Sequence, residues 1–125
     1  MGRIKTLVTA GVLSAVGVFP LLAKAEPVIV TVRVVATEGR EAEVQERNLK
    51  LLKFLREVEP SAAFRLLRSV DSPTTFLWYE IYPSRAEHET HLKEIMPRFR
   101  KEFGQAPKGS MTQKPKVEAF VELTQ

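Results

Sequence analysis

The sequence predicts an α+β fold with the order β-α-β-β-α-β, the ferredoxin-like arrangement. Two amphipathic helical stretches separate four runs rich in β-branched and aromatic residues, and the middle two runs are joined by a short turn. Two helices cover only one face of a four-stranded sheet, yet the strands carry apolar residues on both faces. The uncovered face therefore predicts a homodimer, in which two sheets close face to face.

The composition is that of an ordinary globular protein. The chain has 125 residues, of which 44% are hydrophobic and 27% charged, and it has no cysteine. The absence of cysteine excludes a disulfide scaffold, cysteine-ligated metal sites and a cysteine nucleophile.

The first 25 residues have the order of a secretory signal peptide. A cationic start at 1–5 precedes the uncharged run Thr6–Ala23, and Ala23-Lys24-Ala25 places small residues at a cleavage site. We expect cleavage after Ala25, a mature domain over residues 26–125, and a periplasmic or secreted protein. An uncleaved membrane anchor is the alternative, because the uncharged run approaches the length that spans a bilayer.

Most of the net charge of +4 belongs to this leader. Arg3, Lys5 and Lys24 are three of the 19 basic residues, and none of the 15 acidic residues precedes Glu26, so the mature chain has a net charge of 16 − 15 = +1. Near-neutral charge argues against nucleic-acid binding. We also expect no stable membrane association after cleavage.

The first half of the domain is a strand and a helix. Val28–Ala36 is predicted as a strand with two apolar faces, bounded by Pro27 and Gly39. Glu41–Glu59 is predicted as a helix that Pro60 ends, and its apolar stripe has spacings of three, four and seven: Val44, Leu51, Leu52, Leu55 and Val58.

The second half begins with a hairpin. Ala63–Val70 and Thr75–Tyr82 are predicted strands around the turn formers Asp71-Ser72-Pro73-Thr74. A capping box, Ser84 to Glu87, begins the second helix, and Pro97 is expected to kink or split it. Its predicted inner face contains His88, His91, Leu92, Ile95 and Phe99. Lys116–Leu123 alternates and is the predicted fourth strand.

Few side chains of the domain suggest chemistry. Glu80 lies in the middle of a predicted strand, and a buried carboxylate needs a partner. It belongs either to a polar ligand site or to an ion pair with a basic residue on a neighbouring strand: Arg33, Arg65 or Arg68. His88 and His91 are three apart on one helix, but no third ligand is near in sequence, so no metal is expected.

Residues 28–122 resemble the antibiotic biosynthesis monooxygenase domain, a group of dimeric α+β barrels that includes quinol monooxygenases. The matching segments are Glu38-Gly39-Arg40-Glu41, Glu59-Pro60, Asp71-Ser72-Pro73-Thr74-Thr75-Phe76, Tyr79-Glu80, Ser84, Ala86 and His91. The resemblance implies a monooxygenase without cofactors, in which a quinol or related phenol is deprotonated in an apolar pocket and reacts with dioxygen.

The resemblance also implies site residues. His91 is the expected catalytic base, with Tyr79 and Glu80 orienting it or the ring of a small aromatic ligand. The expected substrate-binding residues are Phe76, Trp78 and Tyr82. Arg98 departs from the family pattern, which usually has a histidine there, and it either joins these residues by holding an anionic ligand or is a solvated charge.

Two alternatives use the same fold. One is a non-catalytic exported barrel that binds a small molecule or a protein. The other is haem degradation, as in relatives with an Asn on the first strand and a Trp on the third. This chain has only Asn48, in the first helix, and has Tyr82 at the Trp position, so haem is not expected.

Overall fold

The structure is a computed structural model that describes residues 26–124, so the predicted leader lies outside the described residues. It confirms the α+β fold, with a π-helical segment, His91–Ile95, inside the second helical region. No helix in this part of the chain has the length and apolarity needed to cross a bilayer. The other elements are β1 (Val28–Val35), α1 (Glu41–Val58), β2 (Ala63–Arg68), β3 (Thr75–Tyr82), α2 (Arg85–Thr90), α3 (Met96–Phe103) and β4 (Lys116–Phe120).

The strands form one antiparallel sheet in the order β2-β3-β1-β4. β3 pairs with β1 along its whole length, from Val28 opposite Tyr82 to Val35 opposite Thr75. The two strands richest in β-branched and aromatic residues are therefore the central ones, where such side chains pack best. β2 and β4 are the edges.

Both edge strands are shorter than the sequence predicts. β2 ends at Arg68 because the hydroxyl of Ser69 accepts hydrogen bonds from the backbone N–H groups of Asp71 and Ser72, at 3.2 and 3.0 Å, which turns the chain. β4 ends at Phe120 instead of Leu123. Its partner β1 begins directly after Pro27, which has no N–H to extend the ladder.

All helices pack on one face of the sheet. Side chains alternate along β3, so its even-numbered residues are buried beneath the helices and its odd-numbered ones from Leu77 onward lie on the other face, partly exposed. The core between sheet and helices comprises Val28, Val30, Val34, Ala36, Val44, Phe54, Leu55, Phe64, Phe76, Trp78, Tyr82 and Phe99.

The predicted capping box is half formed. The hydroxyl of Ser84 accepts from the backbone N–H of Glu87 at 3.3 Å and caps α2, as expected. The carboxylate of Glu87 does not return to Ser84. It accepts instead from the hydroxyl of Ser61 at 3.3 Å, which connects α2 to the turn after α1.

Pro97 interrupts the helix, as predicted. It has no N–H to donate four residues back, and the N–H of Met96 donates to the carbonyl of His91, five residues back, which makes the wide π turn. His91 and Phe99 face the core. The prediction that Leu92 faces the core is wrong. Its side chain is 49% exposed, because the wider π turn puts residues 91 and 95, and not 92, on the side of the helix that faces the core.

Candidate functional site

His91 belongs to a buried polar cluster. It begins the π segment and is only 4% exposed. Its Nδ1 lies 2.6 Å from Oε2 of Glu59, the residue that caps the C-terminus of α1. The imidazole packs against the rings of Tyr82 and Phe64, with centroids 5.2 and 6.0 Å away. One hydrogen bond thus ties the end of α1 to the π segment.

Glu80 lies in the same cluster, where its Oε1 accepts a 2.7 Å hydrogen bond from the Tyr82 hydroxyl. Burial raises the pKa of the Glu80 carboxyl, and the Tyr82 hydrogen bond and the nearby His91 oppose that shift only in part. Burial and the adjacent Glu80 also raise the pKa of Tyr82. This carboxyl is therefore stabilised in its protonated form relative to an exposed one.

The predicted ion pair between Glu80 and a strand arginine is wrong. Arg33 and Arg65 lie opposite Leu77 and Tyr79 in the ladders, so they project from the other face of the sheet. Arg68 is on the helix-covered face but donates to Oε1 of Gln45 at 3.3 Å.

His88 completes the cluster. Its ring lies 4.9 Å from Tyr82 and 6.2 Å from His91, centroid to centroid. Burial lowers the pKa of His88, and the neighbouring His91 lowers it further. Within residues 26–124, no three histidine or carboxylate side chains converge as a metal-ligand set.

A separate cavity of about 310 Å³ lies between α1, α3, the sheet and the segment that follows α3. Its walls are mainly apolar, which suits a small aromatic ligand. They consist of Val32, Val34, Val44, Leu51, Trp78, Met96, Phe99, Ala106, Pro107, Met111 and Pro115, together with the polar Glu43, Arg47, Asn48, Arg100, Gln105 and Ser110.

One hydrogen bond joins the sheet wall of this cavity to α1. The indole N–H of Trp78 donates to Oδ1 of Asn48 at 2.8 Å, and Nδ2 of Asn48 donates to the Val44 carbonyl at 2.7 Å. An indole only donates and a carbonyl only accepts, so the orientation of the amide is fixed. The second N–H of Nδ2 makes no hydrogen bond within residues 26–124, which leaves a donor at the cavity wall.

Two arginines add positive charge to the cavity. Arg47 donates to the Gly104 carbonyl at 2.6 Å and lies over the Phe99 ring, 5.2 Å from its centroid. Burial lowers the pKa of this guanidinium, which stays charged at neutral pH. Arg100 is half-buried in the last turn of α3. The carboxylate of Glu43 binds Arg40 through both oxygens, at 2.7 and 2.8 Å.

The structure divides the site residues predicted from sequence among five places. His91, Glu80 and Tyr82 meet in the buried cluster, while Trp78 lines the cavity and Phe76 is buried in the core. Tyr79 is on the opposite face of the sheet. Arg98 lies in an outer groove between α1 and α3, with its guanidinium 5.6 Å from the centroid of the Phe54 ring.

The family of the chain follows from the sequence match. A family model described as antibiotic biosynthesis monooxygenase matches residues 27–123. The chain belongs to the antibiotic biosynthesis monooxygenase family. This match covers nearly all of the described residues and confirms the resemblance inferred from the sequence. No curated protein matches the chain.

Solved structures related to this family member share its fold. One from Caulobacter crescentus, named a putative antibiotic biosynthesis monooxygenase, has a TM-score of 0.66 at 18% identity over 80% of this chain and 92% of its own. A Mycobacterium tuberculosis protein has a TM-score of 0.63 at 19% identity, with 80% and 98% covered. A Bacteroides thetaiotaomicron protein of unknown function, described as a possible oxidoreductase, has a TM-score of 0.64 at 17% identity over 78% of this chain and 99% of its own.

The residues that sequence reasoning missed include Glu59 in the polar cluster and Asn48, Arg47 and Arg100 at the cavity. The sequence places Glu59 at the end of α1 and in a segment that matches the family, but not beside His91, because that contact joins residues 32 apart. Asn48, Arg47 and Arg100 are not among the site residues that the sequence predicts. A signal for Asn48 was present, because it lies four residues after Val44 and three before Leu51, on the apolar stripe of α1.

Replacing Glu80 with glutamine tests the polar cluster. The raised pKa means that the folded state holds this proton more tightly, so the contribution of Glu80 to wild-type stability falls as pH rises above about 4.3, the ordinary value. Glutamine keeps an acceptor for Tyr82 and does not ionise. We expect the unfolding free energy of Glu80→Gln, minus that of wild type, to increase with pH by at most about 1.4 kcal/mol per unit. Urea titrations at several pH values above about 4.3 measure this difference in unfolding free energy. A difference that does not change with pH would contradict the raised pKa.

Proposed function

We propose that this protein is a cofactor-independent monooxygenase that oxidises quinols or related phenols with dioxygen. The observation that carries the proposal is the apolar cavity with the Trp78–Asn48 hydrogen bond in its wall. Such a reaction needs exclusion of water and a donor that stabilises the phenolate. One oxygen atom enters the ring and the other leaves as water, so a hydroquinone and O2 give a hydroxyquinone and H2O. The substrate supplies all four electrons.

Asn48 is the proposed donor to the phenolate. Its amide is held by two hydrogen bonds, to Trp78 and Val44, so the remaining N–H keeps one direction without the substrate. A donor that is already oriented costs no rearrangement when negative charge develops, which is the condition for electrostatic catalysis. The Trp78 indole then contributes a flat apolar surface.

A substrate bound in this cavity would lie away from His91. The imidazole is buried among Glu59, Tyr82 and Phe64 and does not line the cavity. The base role that the resemblance implies for His91 therefore competes with a positioning role, in which the His91–Glu59 contact fixes the end of α1. The two roles make different predictions for one assay.

Asn48→Asp tests the donor. The carboxylate keeps the acceptor for Trp78 but loses the N–H and adds a negative charge, so we expect kcat/KM to fall about 10²-fold. Oxygen uptake with 1,4-dihydroxynaphthalene, corrected for autoxidation, measures this. Gln45→Glu adds the same charge one turn earlier, outside the cavity lining, and should keep wild-type activity.

Further variants in this assay separate the alternatives. His91→Gln should lose less activity than Asn48→Asp. A greater loss in His91→Gln would favour the base role of His91 in the buried cluster. If wild type takes up no oxygen yet an aromatic ligand raises its melting temperature, the protein is the non-catalytic binding barrel. That alternative uses the same cavity.

We also propose that the protein is a homodimer. The sheet face opposite the helices has Ile29, Leu77, Tyr79 and Ile81 at its centre. It continues into a groove of about 740 Å³ beside the exposed Leu123. A second copy with the same apolar face is the occupant that buries both surfaces at once.

Ile81→Lys tests this interface. Ile81 pairs with Ile29 and Ala63 in the ladders, so a lysine there puts charge in the middle of the proposed contact. We expect light scattering to report a dimer for wild type and a monomer for Ile81→Lys. Leu49→Lys, at an exposed position on α1, is the control and should stay dimeric. A monomeric wild type would refute the interface.

Export is proposed from the order of charges and small residues in residues 1–25. We expect the chain recovered from outside the cytoplasm to begin at Glu26. Intact mass spectrometry of fractionated cells checks this. A full-length chain in the membrane fraction would favour the uncleaved anchor.

A further inference from the structure

The two arginines of the cavity form no ion pair with any residue that the structure describes. Within residues 26–124, the only ion pairs within 4.0 Å are Arg40–Glu43 and Glu59–His91. Among the residues that the structure describes, Glu43 is the one carboxylate that lines the cavity, and Arg40 binds both of its oxygens. Arg47 and Arg100 thus face the cavity as two uncompensated positive charges.

The two guanidiniums differ in how much of their hydrogen-bonding capacity is used. One N–H of the Arg47 guanidinium donates to the Gly104 carbonyl, and the guanidinium lies over the Phe99 ring. Arg100 makes no side-chain hydrogen bond within the described part of the chain, so all of its guanidinium N–H groups are available to a ligand. A guanidinium fork matches the two oxygens of a carboxylate, and an apolar surrounding strengthens such a pair.

Arg100 lies on a different wall of the cavity from the proposed donor, whereas Arg47 precedes Asn48 on α1. Asn48 and Trp78 meet at the sheet, whereas Arg100 comes from α3. A ligand in the cavity would therefore contact a neutral donor on one side and a cation on the other. The volume of about 310 Å³ is roughly twice the 150 Å³ that encloses benzene, so the cavity accommodates one or two rings.

We infer that the ligand of this cavity is an aromatic compound of one or two rings bearing a carboxylate, bound by Arg100 with support from Arg47. The inference rests on the proposed function for the placement of the ligand in the cavity. It adds that the substrate is a phenolic acid, and that the carboxylate is recognised apart from the hydroxyl that reacts.

Binding of a matched pair of compounds tests the inference without turnover. 3-Hydroxy-2-naphthoate and 3-hydroxy-2-naphthamide have nearly the same shape, and only the first is charged. We expect calorimetry to give the naphthoate at least about tenfold tighter binding to wild type, as for a charge-assisted hydrogen-bonded pair. The ratio should fall as salt is added. Equal affinities would overturn the inference, whatever the variants do.

Variants assign the preference to Arg100. Arg100→Gln should remove most of the preference while leaving naphthamide binding unchanged, and Arg100→Lys should retain part of it. Lys101→Gln removes a charge from the same helical turn, outside the cavity lining, and should keep the full ratio. An equal loss in Lys101→Gln, or an equal loss of both compounds in Arg100→Gln, would overturn the assignment.

Oxygen uptake separates this inference from the proposed function. The pair is 1,4-dihydroxynaphthalene with and without a 2-carboxylate. If both compounds support oxygen uptake equally well, the proposed monooxygenase function stands and the proposed carboxylate recognition is overturned. Tighter binding of the naphthoate with no uptake of oxygen supports the carboxylate site and overturns the monooxygenase.

Discussion

The two-residue alternation of β3 is the constraint on which this structure depends. The strand is paired on both edges, so its register cannot change without breaking two ladders. The alternation sends Trp78, Glu80 and Tyr82 under the helices and Tyr79 and Ile81 to the other face. One strand therefore supplies the cavity wall, the buried polar cluster and the centre of the proposed dimer contact.

Buried polar groups fix how the helices meet that strand. A carboxylate or an amide removed from water is costly unless it has a partner. Glu80 is matched with Tyr82, Glu59 with His91, and Asn48 with Trp78. Two of these contacts join α1 to another element, so α1 cannot slide without leaving a buried donor or acceptor unsatisfied. The cavity stays open beside a wall whose donor is already oriented.

Local patterns predicted most of the fold, because each depends on neighbours in the sequence. The apolar stripe of α1, the turn at Asp71–Thr74 and the interruption at Pro97 all follow from residues within a few positions of one another. The errors arose where distant or unusual geometry intervened. Leu92 is exposed because of a π turn, and β4 stops where its partner β1 begins.

The sequence by itself determined the fold class, the family and the identity of the polar residues. It could not determine which of them meet. His91 and Glu59 are 32 residues apart in the sequence, and residues on opposite walls of the cavity have similar or greater separations. Only packing brings such residues together. Tyr79 and Glu80 are adjacent in the chain but lie on opposite faces of the sheet. Tertiary structure decided these placements, because helix packing and strand register act between segments that no local pattern connects.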